Sequence, residues 1–89
     1  MWFVYVLLCE DDSFYTGATN NLKKRFLEHI NGKGGRYTRS HKPIKLIYFE
    51  KLPNQSEALI REIQIKSWSR EQKISILGLK FTPSDSLAS

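Results

Sequence analysis

The chain has 89 residues and a formal net charge of +5, with 40% apolar and 12% aromatic residues. This composition is typical of one small globular domain with a single modest core. The longest apolar run near the start, residues 3–9, is too short to span a bilayer and lacks the basic flank and cleavage site of a signal peptide. The single cysteine, Cys9, excludes an internal disulfide and, with two distant histidines, gives little support for a zinc site. We therefore expect a protein of the reducing cytoplasm without a membrane anchor.

The positive charge is concentrated in one part of the chain. Residues 1–22 contain three acidic residues and no basic one, whereas residues 23–45 contain eight basic residues and a single acidic one, Glu28. The eight are Lys23, Lys24, Arg25, Lys33, Arg36, Arg39, Lys42 and Lys45. Such a block is the footprint expected for a polyanionic partner such as nucleic acid, although a solubilising surface explains it equally well.

The first elements in chain order are those of a β-hairpin. Residues 2–9 (WFVYVLLC) are rich in β-branched, aromatic and leucine residues, EDDS has turn chemistry, and SFYTG is typical of the return strand. Tyr5 and Tyr15 share a face of this hairpin in some registers, and the sequence leaves the register open.

An amphipathic helix is predicted next, and Gly32 is a natural terminator for it. Either Asn20 or Asn21 caps its start. Its apolar stripe comprises Leu22, Phe26, Leu27 and Ile30. Arg25 and His29 lie one turn apart at the border of this stripe, a placement that by itself fits a solvated basic face.

The second half of the chain predicts one more strand and two more helices. A basic loop closed by Pro43 leads into residues 44–52 (IKLIYFEKL), which are typical of a strand. Asn54 with Glu57 resembles a capping box opening a helix through about Trp68. The main apolar stripe of that helix is Leu59, Ile60 and Ile63, beside a row formed by Ala58, Glu62 and Ile65.

The last predicted element is a short helix that begins with a second capping pattern, Ser69 with Gln72, and ends at Gly78. The element order ββαβαα predicts an α+β fold in which helices flank a small three-stranded, mostly antiparallel sheet. We assign residues 1–80 to this single domain and expect residues 81–89 to form a flexible C-terminal tail.

Single polar residues have ordinary structural explanations. The GKGG segment follows a helix and lacks the hydroxyl residue of a phosphate-binding P-loop. Cys9 ends a strand beside three acids, which would raise the pKa of its thiol, so we expect a structural role. Glu62 interrupts an apolar-leaning helix, and its carboxylate is expected to need a partner: Arg61, Lys66 or a divalent cation.

In combination, these residues resemble the signature of the GIY-YIG endonuclease superfamily. The two tripeptides of that signature are matched by FVY at residues 3–5 and YTG at residues 15–17. Arg25 and His29 match the arginine and histidine of the following helix, and Glu62 matches the metal-binding glutamate.

The resemblance covers about residues 2–77 and is greatest to small stand-alone bacterial members, which share a basic helix, a Gly-Lys-Gly loop and a Tyr-Thr-Arg segment, here residues 37–39. The sequence departs from the pattern in four respects: FVY lacks the first glycine, Thr16 replaces the usual isoleucine, the nine residues between Tyr5 and Tyr15 are slightly fewer than is common, and Ala18 stands where some relatives have lysine.

The resemblance implies a divalent-metal-dependent endonuclease that hydrolyses DNA phosphodiester bonds. The implied catalytic residues are Tyr5, Tyr15, Arg25, His29 and Glu62. Glu62 would hold one Mg²⁺ or Mn²⁺ at the scissile phosphate, and Arg25 would face the charge that develops on the phosphoryl oxygens. A tyrosine, Tyr15 in preference to Tyr5, would orient or deprotonate the water, while His29 would assist proton transfer or hold the phosphate.

The resemblance also implies a DNA-binding surface. The expected contacts are Gly17, Lys24, Lys33, Arg36, Tyr37, Arg39 and Lys42. Gly17 is expected to permit a sharp turn and a close approach of backbone to DNA. The basic loop is expected to bind the flanking phosphates with little dependence on the base sequence. We expect recognition of DNA structure, such as a branch or nick, in repair or recombination; a targeting partner and the oligomeric state are left open.

Two other interpretations are compatible with the sequence. A nucleic-acid-binding module of the same fold that cleaves slowly or not at all would have the same basic surface, but all five signature positions carry chemically competent residues. A protein-interaction domain with an incidental basic face would leave the arginine, histidine and glutamate unexplained.

Overall fold

The computed structural model describes residues 1–79, which form three strands and four helices. In chain order these are β1 (Trp2–Cys9), β2 (Phe14–Thr19), α1 (Leu22–Ile30), α2 (Arg36–Ser40), β3 (Pro43–Leu52), α3 (Gln55–Lys66) and α4 (Arg70–Leu77). The predicted elements are confirmed to within two residues at most ends, and α2 is additional. The predicted C-terminal tail lies outside the described residues.

The sheet has the strand order β2-β1-β3, and β1 pairs antiparallel with both neighbours. The predicted α+β class with an antiparallel sheet is therefore confirmed. Because β1 is central, both of its backbone edges are hydrogen-bonded, and its side chains from Val4 to Cys9 are buried. A continuous apolar strand is what such a two-sided position requires.

The register of the hairpin places two tyrosines on one face of the sheet. Tyr5 pairs with Gly17 and Leu7 pairs with Tyr15, so Tyr5 and Tyr15 are diagonal neighbours. Their ring centroids lie 6.3 Å apart. The opposite face carries Val4, Val6 and Thr16.

Helix α3 covers this opposite face through a row of residues different from the one predicted. Ala58 and Ile65 are buried against Val4 and Val6 and form the core with them. The predicted main stripe of α3 is exposed, with exposed fractions of 41% for Leu59, 68% for Ile60 and 66% for Ile63. The prediction was wrong because hydrophobicity alone favoured the stripe, whereas a small alanine lets a helix approach the sheet closely.

Helix α1 covers the tyrosine face, and its orientation also differs from the prediction. Its fully buried side chain is His29, whereas Leu27 and Ile30 are largely exposed. His29 therefore does not border the buried face; it is the centre of that face. A polar ring can be buried there because both of its nitrogens have hydrogen-bond partners, which offsets its loss of hydration.

Helix α2 occupies part of the segment that was predicted to be a basic loop. It has five residues, too few for a helical period to appear in the sequence, and it begins after Gly35, whose φ is +121°. Its buried residue is Thr38. The helix is thus held by a contact to another part of the chain, which local sequence patterns do not reveal.

The helix ends follow the predicted capping chemistry. Asn21, the second of the two candidates, caps α1 by accepting from the Lys24 backbone amide at 3.1 Å. Ser69 and Gln72 form a full capping box at α4, which ends at left-handed Gly78. Within residues 1–79 no helix is both long enough and apolar enough to cross a membrane.

Thr16 provides a test of this packing. Its hydroxyl is buried on the α3 side of the sheet and has no hydrogen-bond partner among residues 1–79. Because Val has nearly the same shape without the unsatisfied polar group, Thr16→Val is expected to raise the free energy of unfolding by about 1 kcal/mol in urea denaturation.

Thr19 is the matched control on the same strand. Its hydroxyl oxygen accepts from the Asn21 backbone amide at 3.1 Å, so Thr19→Val should destabilise the protein by about 1 kcal/mol. Equal destabilisation by the two substitutions would contradict the proposed environment of Thr16.

Candidate active site

The centre of the tyrosine face is a hydrogen bond between Tyr5 and His29. The Tyr5 hydroxyl lies 2.7 Å from Nε2 of His29, and both residues are buried. Burial is the largest cause of a strongly raised pKa for the Tyr5 phenol; Tyr15 raises it further, and Arg25 opposes the rise. Tyr5 is therefore a neutral phenol near pH 7.

Gly17 makes room for the Tyr5 ring. A methyl group at this glycine would overlap the Tyr5 hydroxyl and lie 2.6 Å from Tyr5 Cζ and 3.1 Å from Cε2 of Tyr15. The predicted sharp turn at Gly17 is wrong, because the residue lies inside β2 and is not among the glycines with positive φ. The absence of a side chain here serves the packing of the phenol.

His29 has a second partner on α2. Its Nδ1 lies 2.9 Å from the Thr38 hydroxyl, and Gly34 packs on the ring so closely that a methyl group there would lie 2.6 Å from Cγ of His29. Burial, followed by the charge of Arg25, lowers the pKa of His29 to about 4, while Glu28 opposes the shift. The buried imidazole is therefore neutral near pH 7.

Arg25 is a cation close to this pair. Next to the larger effect of burial, its charge lowers the pKa of both Tyr5 and His29. Its Nη1 donates to Glu28 Oε1 and its Nη2 to the Gly34 carbonyl, both at 3.1 Å. These two bonds hold the guanidinium beside Gly34 of the GKGG segment (residues 32–35), whose backbone thus covers His29 and orients Arg25.

Glu62 reaches the site from α3 on the other side of the sheet. Its side chain is 17% exposed and pairs with Lys66, whose Nζ lies 3.5 Å from Oε2. The same Nζ lies 5.9 Å from the centroid of the Tyr15 ring, so Lys66 passes the edge strand β2 to reach the tyrosine face. Of the two predicted base partners, Lys66 is confirmed, whereas Arg61 pairs with Glu50 at 2.6 Å.

The five predicted catalytic residues thus lie near one another. Tyr15 is placed between Tyr5, His29 and Arg25 on one side and Glu62, with its partner Lys66, on the other. Its ring centroid is 4.9 Å from that of His29 and 5.7 Å from that of Tyr37. Tyr37 in turn stacks on His41 at 4.1 Å. The sequence reasoning missed Thr38, Gly34 and His41; the Tyr-Thr-Arg segment was the available signal for Thr38, but its helix was not predicted.

The outer surface beside this cluster is basic. The predicted DNA contacts Lys24, Lys33, Arg36, Arg39 and Lys42 are exposed, and within residues 1–79 none of them forms a salt bridge. Tyr37 is partly exposed among them. Gly17, the remaining predicted contact, is buried.

Cys9 is set apart from this chemistry. It is a free, buried cysteine, and burial is the main cause of its raised thiol pKa, with a smaller contribution from Asp11 that the Ser13 hydrogen bond opposes. The expected direction of the shift is confirmed, but desolvation contributes more than the neighbouring acids.

The described residues contain no group of three or more histidine, cysteine, aspartate or glutamate side chains that could hold a metal ion. Glu62 is nevertheless compatible with Mg²⁺, which is often bound by one or two carboxylates together with waters and substrate phosphates. Its side chain is 17% exposed and forms an ion pair with Lys66, whose side chain is half exposed.

Fold and site together define a family. Residues 1–75 match the model of the GIY-YIG catalytic domain, and the chain belongs to the GIY-YIG family. The family resemblance seen in the sequence is therefore confirmed.

Similar proteins include bacterial proteins of the UPF0213 group. The chain is 50% identical over 80 residues to a UPF0213 protein of Clostridium perfringens, covering 90% of this chain and 86% of that protein. It is 40% identical to one from Staphylococcus saprophyticus, covering 85% and 93%. The solution NMR structure of UPF0213 protein BH0048 from Bacillus halodurans has a TM-score of 0.57 and 36% identity, covering 98% and 94%.

The low pKa of His29 predicts a loss of stability in acid. Unfolded His29 takes up a proton below about pH 6.5, whereas the folded residue does so only near pH 4. The unfolded state binds more protons in this window, so the free energy of unfolding falls as the pH is lowered, by up to about 3 kcal/mol from this residue.

Urea denaturation at pH 7 and pH 4.5 measures this effect. The His29→Gln variant keeps an amide donor and acceptor but does not titrate, so its stability should fall less between the two pH values. An equal fall in wild type and variant would assign the acid sensitivity to other groups.

The packing of Gly17 makes a second prediction. Gly17→Ala should displace the Tyr5 phenol and lower the free energy of unfolding by about 1–3 kcal/mol. The cost should largely disappear in a Tyr5→Leu background, where no phenol occupies the space, as urea denaturation of the double-mutant cycle would show. A cost that persists in that background would mean that the methyl group clashes elsewhere.

Proposed function

We propose that this protein is a divalent-metal-dependent endonuclease that hydrolyses DNA phosphodiester bonds, directed by DNA structure with low sequence specificity. The observation that carries the proposal is the connected set of Tyr5, His29 and Arg25 with Glu62 on the far side of Tyr15, in a GIY-YIG fold with a basic outer surface. Each group has the chemistry that one part of phosphodiester hydrolysis needs.

Arg25 supplies fixed positive charge. Its guanidinium is oriented by Glu28 and the Gly34 carbonyl, so little reorganisation is needed when negative charge develops on the phosphoryl oxygens. A planar guanidinium also offers two parallel donors to a phosphate, which a lysine does not. We therefore assign Arg25 to stabilisation of the transition state.

Tyr5, rather than Tyr15, is assigned to orient the attacking water. Its hydroxyl is bonded to an imidazole that is neutral near pH 7 and therefore has a nitrogen lone pair free to accept a proton during the reaction. The water proton moves to the Tyr5 oxygen as the Tyr5 proton moves to Nε2 of His29, and the hydroxide formed attacks phosphorus. No phenolate is needed, which agrees with the raised pKa of Tyr5. Tyr15 then acts as an aromatic wall between the two halves of the site.

Glu62 is assigned to hold Mg²⁺ or Mn²⁺ with the substrate phosphate. When bound, such an ion supplies Lewis-acid polarisation of the phosphate and stabilises the leaving oxygen. The Lys66 side chain, half exposed and paired with Glu62, is positioned to move away when a cation binds or to remain near the phosphate.

The exposed basic residues Lys24, Lys33, Arg36, Arg39 and Lys42 are assigned to backbone contacts with DNA. Because these contacts are mainly electrostatic, affinity should fall steeply with salt and depend little on base sequence. The same proposal includes branched or nicked DNA as the substrate, a role in repair or recombination, and a cytoplasmic location.

A weakly active or inactive DNA-binding module is the second candidate. The observation that favours it is that the basic surface is independent of Glu62: its residues lie on other elements and make no ion pair with α3 within residues 1–79. Binding without cleavage would be compatible with that surface alone.

A cleavage assay tests the proposal. Purified protein is incubated with supercoiled, flap and branched DNA, with and without Mg²⁺ or Mn²⁺. Wild type should cleave only with the metal, and Glu62→Gln, Arg25→Ala and Tyr5→Phe should each lower kcat by about a hundredfold or more, since each removes a group that acts in the transition state. Tyr15→Phe should have a smaller effect.

Two matched variants serve as controls. Glu57→Gln removes the same charge from α3 at an exposed position, and Lys23→Ala removes an exposed cation from α1; both should keep near-normal kcat. Cleavage by wild type that Glu62→Gln retains in full would overturn the metal assignment. Salt-sensitive gel retardation without cleavage would favour the binding module, and absence of both would favour a protein-interaction domain.

A further inference from the structure

Thr38 is a buried polar residue that the proposed reaction does not use directly. Its exposed fraction is 2%, and its hydroxyl lies 2.9 Å from Nδ1 of His29. It belongs to α2, which is otherwise exposed and basic. A hydroxyl in this position can donate to the ring nitrogen or accept from it, and this choice has consequences for Tyr5.

The three groups Tyr5, His29 and Thr38 form a hydrogen-bonded chain with two possible directions. A neutral imidazole has one N–H and one acceptor nitrogen. If Nδ1 carries the proton, it donates to Thr38, and Nε2 accepts from the Tyr5 hydroxyl. If Nε2 carries the proton, both bonds reverse, and the Tyr5 oxygen becomes the acceptor.

The proposed reaction requires the first direction. Only when Nδ1 carries the proton does Nε2 have a lone pair that can accept the Tyr5 proton, and the Thr38 hydroxyl is then the acceptor for Nδ1–H. The distance of 2.7 Å between the Tyr5 oxygen and Nε2 is suited to an O–H···N bond.

We infer that Thr38 is a positioning residue that fixes the proton of His29 on Nδ1, so that Nε2 is the acceptor for the Tyr5 hydroxyl. This inference rests on the proposed function, and it means that α2 contributes to the reaction by carrying Thr38. Gly34 supports the arrangement by holding the imidazole plane against the backbone.

The direction of the chain decides whether Tyr5 can relay a proton. With Nε2 as acceptor, the Tyr5 proton can pass to His29 while the Tyr5 oxygen receives the proton of the attacking water. With the proton on Nε2, the nitrogen has no free lone pair, and the relay is blocked. Thr38 therefore affects the reaction indirectly, because it selects the tautomer of His29.

The tautomer can be measured directly by ¹⁵N NMR of the histidine side chains near pH 7. The chain has two histidines, His29 and His41, and His41→Gln assigns their signals. Wild-type His29 should be protonated on Nδ1. In Thr38→Val, which keeps the shape but removes the hydroxyl, the proton should move to Nε2, and Thr38→Ser should restore the wild-type spectrum.

Kinetics connect the tautomer with the reaction. Thr38→Val should lower kcat for DNA cleavage by about tenfold, the lower end of the range for loss of such a partner, with KM nearly unchanged, and Thr38→Ser should recover most of the loss. Circular dichroism and urea denaturation establish whether each variant is folded. The wild-type tautomer is measured without Thr38→Val, so it tests the inference even if that variant does not fold.

The outcomes separate this inference from the proposed function. Wild-type His29 protonated on Nε2, or a tautomer unchanged in folded Thr38→Val, would overturn the inference even if the protein cleaves DNA. A wild-type enzyme that cleaves nothing would overturn the role in the reaction and the proposed function together, although the NMR result would still report the tautomer.

Discussion

The burial of a neutral histidine between two hydroxyl groups is the interaction on which the tyrosine face depends. His29 comes from α1, Tyr5 from β1 and Thr38 from α2, so two hydrogen bonds join three elements. Removing any one partner would leave a buried polar group unsatisfied, which costs more than the bond itself contributes. The same constraint requires glycine at Gly17 and Gly34, because a methyl group at either position would overlap one of the rings.

The two faces of the sheet have different tasks as a result. The α3 face is an ordinary apolar core in which Val4, Val6 and Ile65 are fully buried. The α1 face instead buries a polar cluster of Tyr5, His29 and Thr38, and burial keeps Tyr5 and His29 neutral near pH 7. Glu62 links the faces because α3 crosses beside an edge strand, so that Lys66 and Tyr15 come within reach of each other. A site of this kind needs no deep cavity; it is assembled around one edge of a small sheet.

Much of the fold could be predicted because it depends on local chemistry. The apolar run of β1, the hairpin turn and the caps at Asn21 and Ser69 all act over a few residues, and the structure has them where the patterns placed them. The failures concern orientation. Helix α3 turns Ala58 inwards and leaves Ile60 exposed, because close approach to the sheet outweighs the hydrophobicity of the other row. Helix α2 is stabilised by a distant contact and has no period of its own.

The sequence by itself determined the family, the antiparallel α+β class, the concentration of positive charge in residues 23–45 and the residue types of the candidate site. Tertiary structure alone decided that His29 is buried and neutral, that Gly17 accommodates a phenol in place of a turn, and that Thr38 belongs to the site. The physical reason is the range of the interactions. Propensity and charge are properties of neighbouring residues, whereas desolvation and hydrogen-bond partnership arise only when distant segments exclude water from the same place.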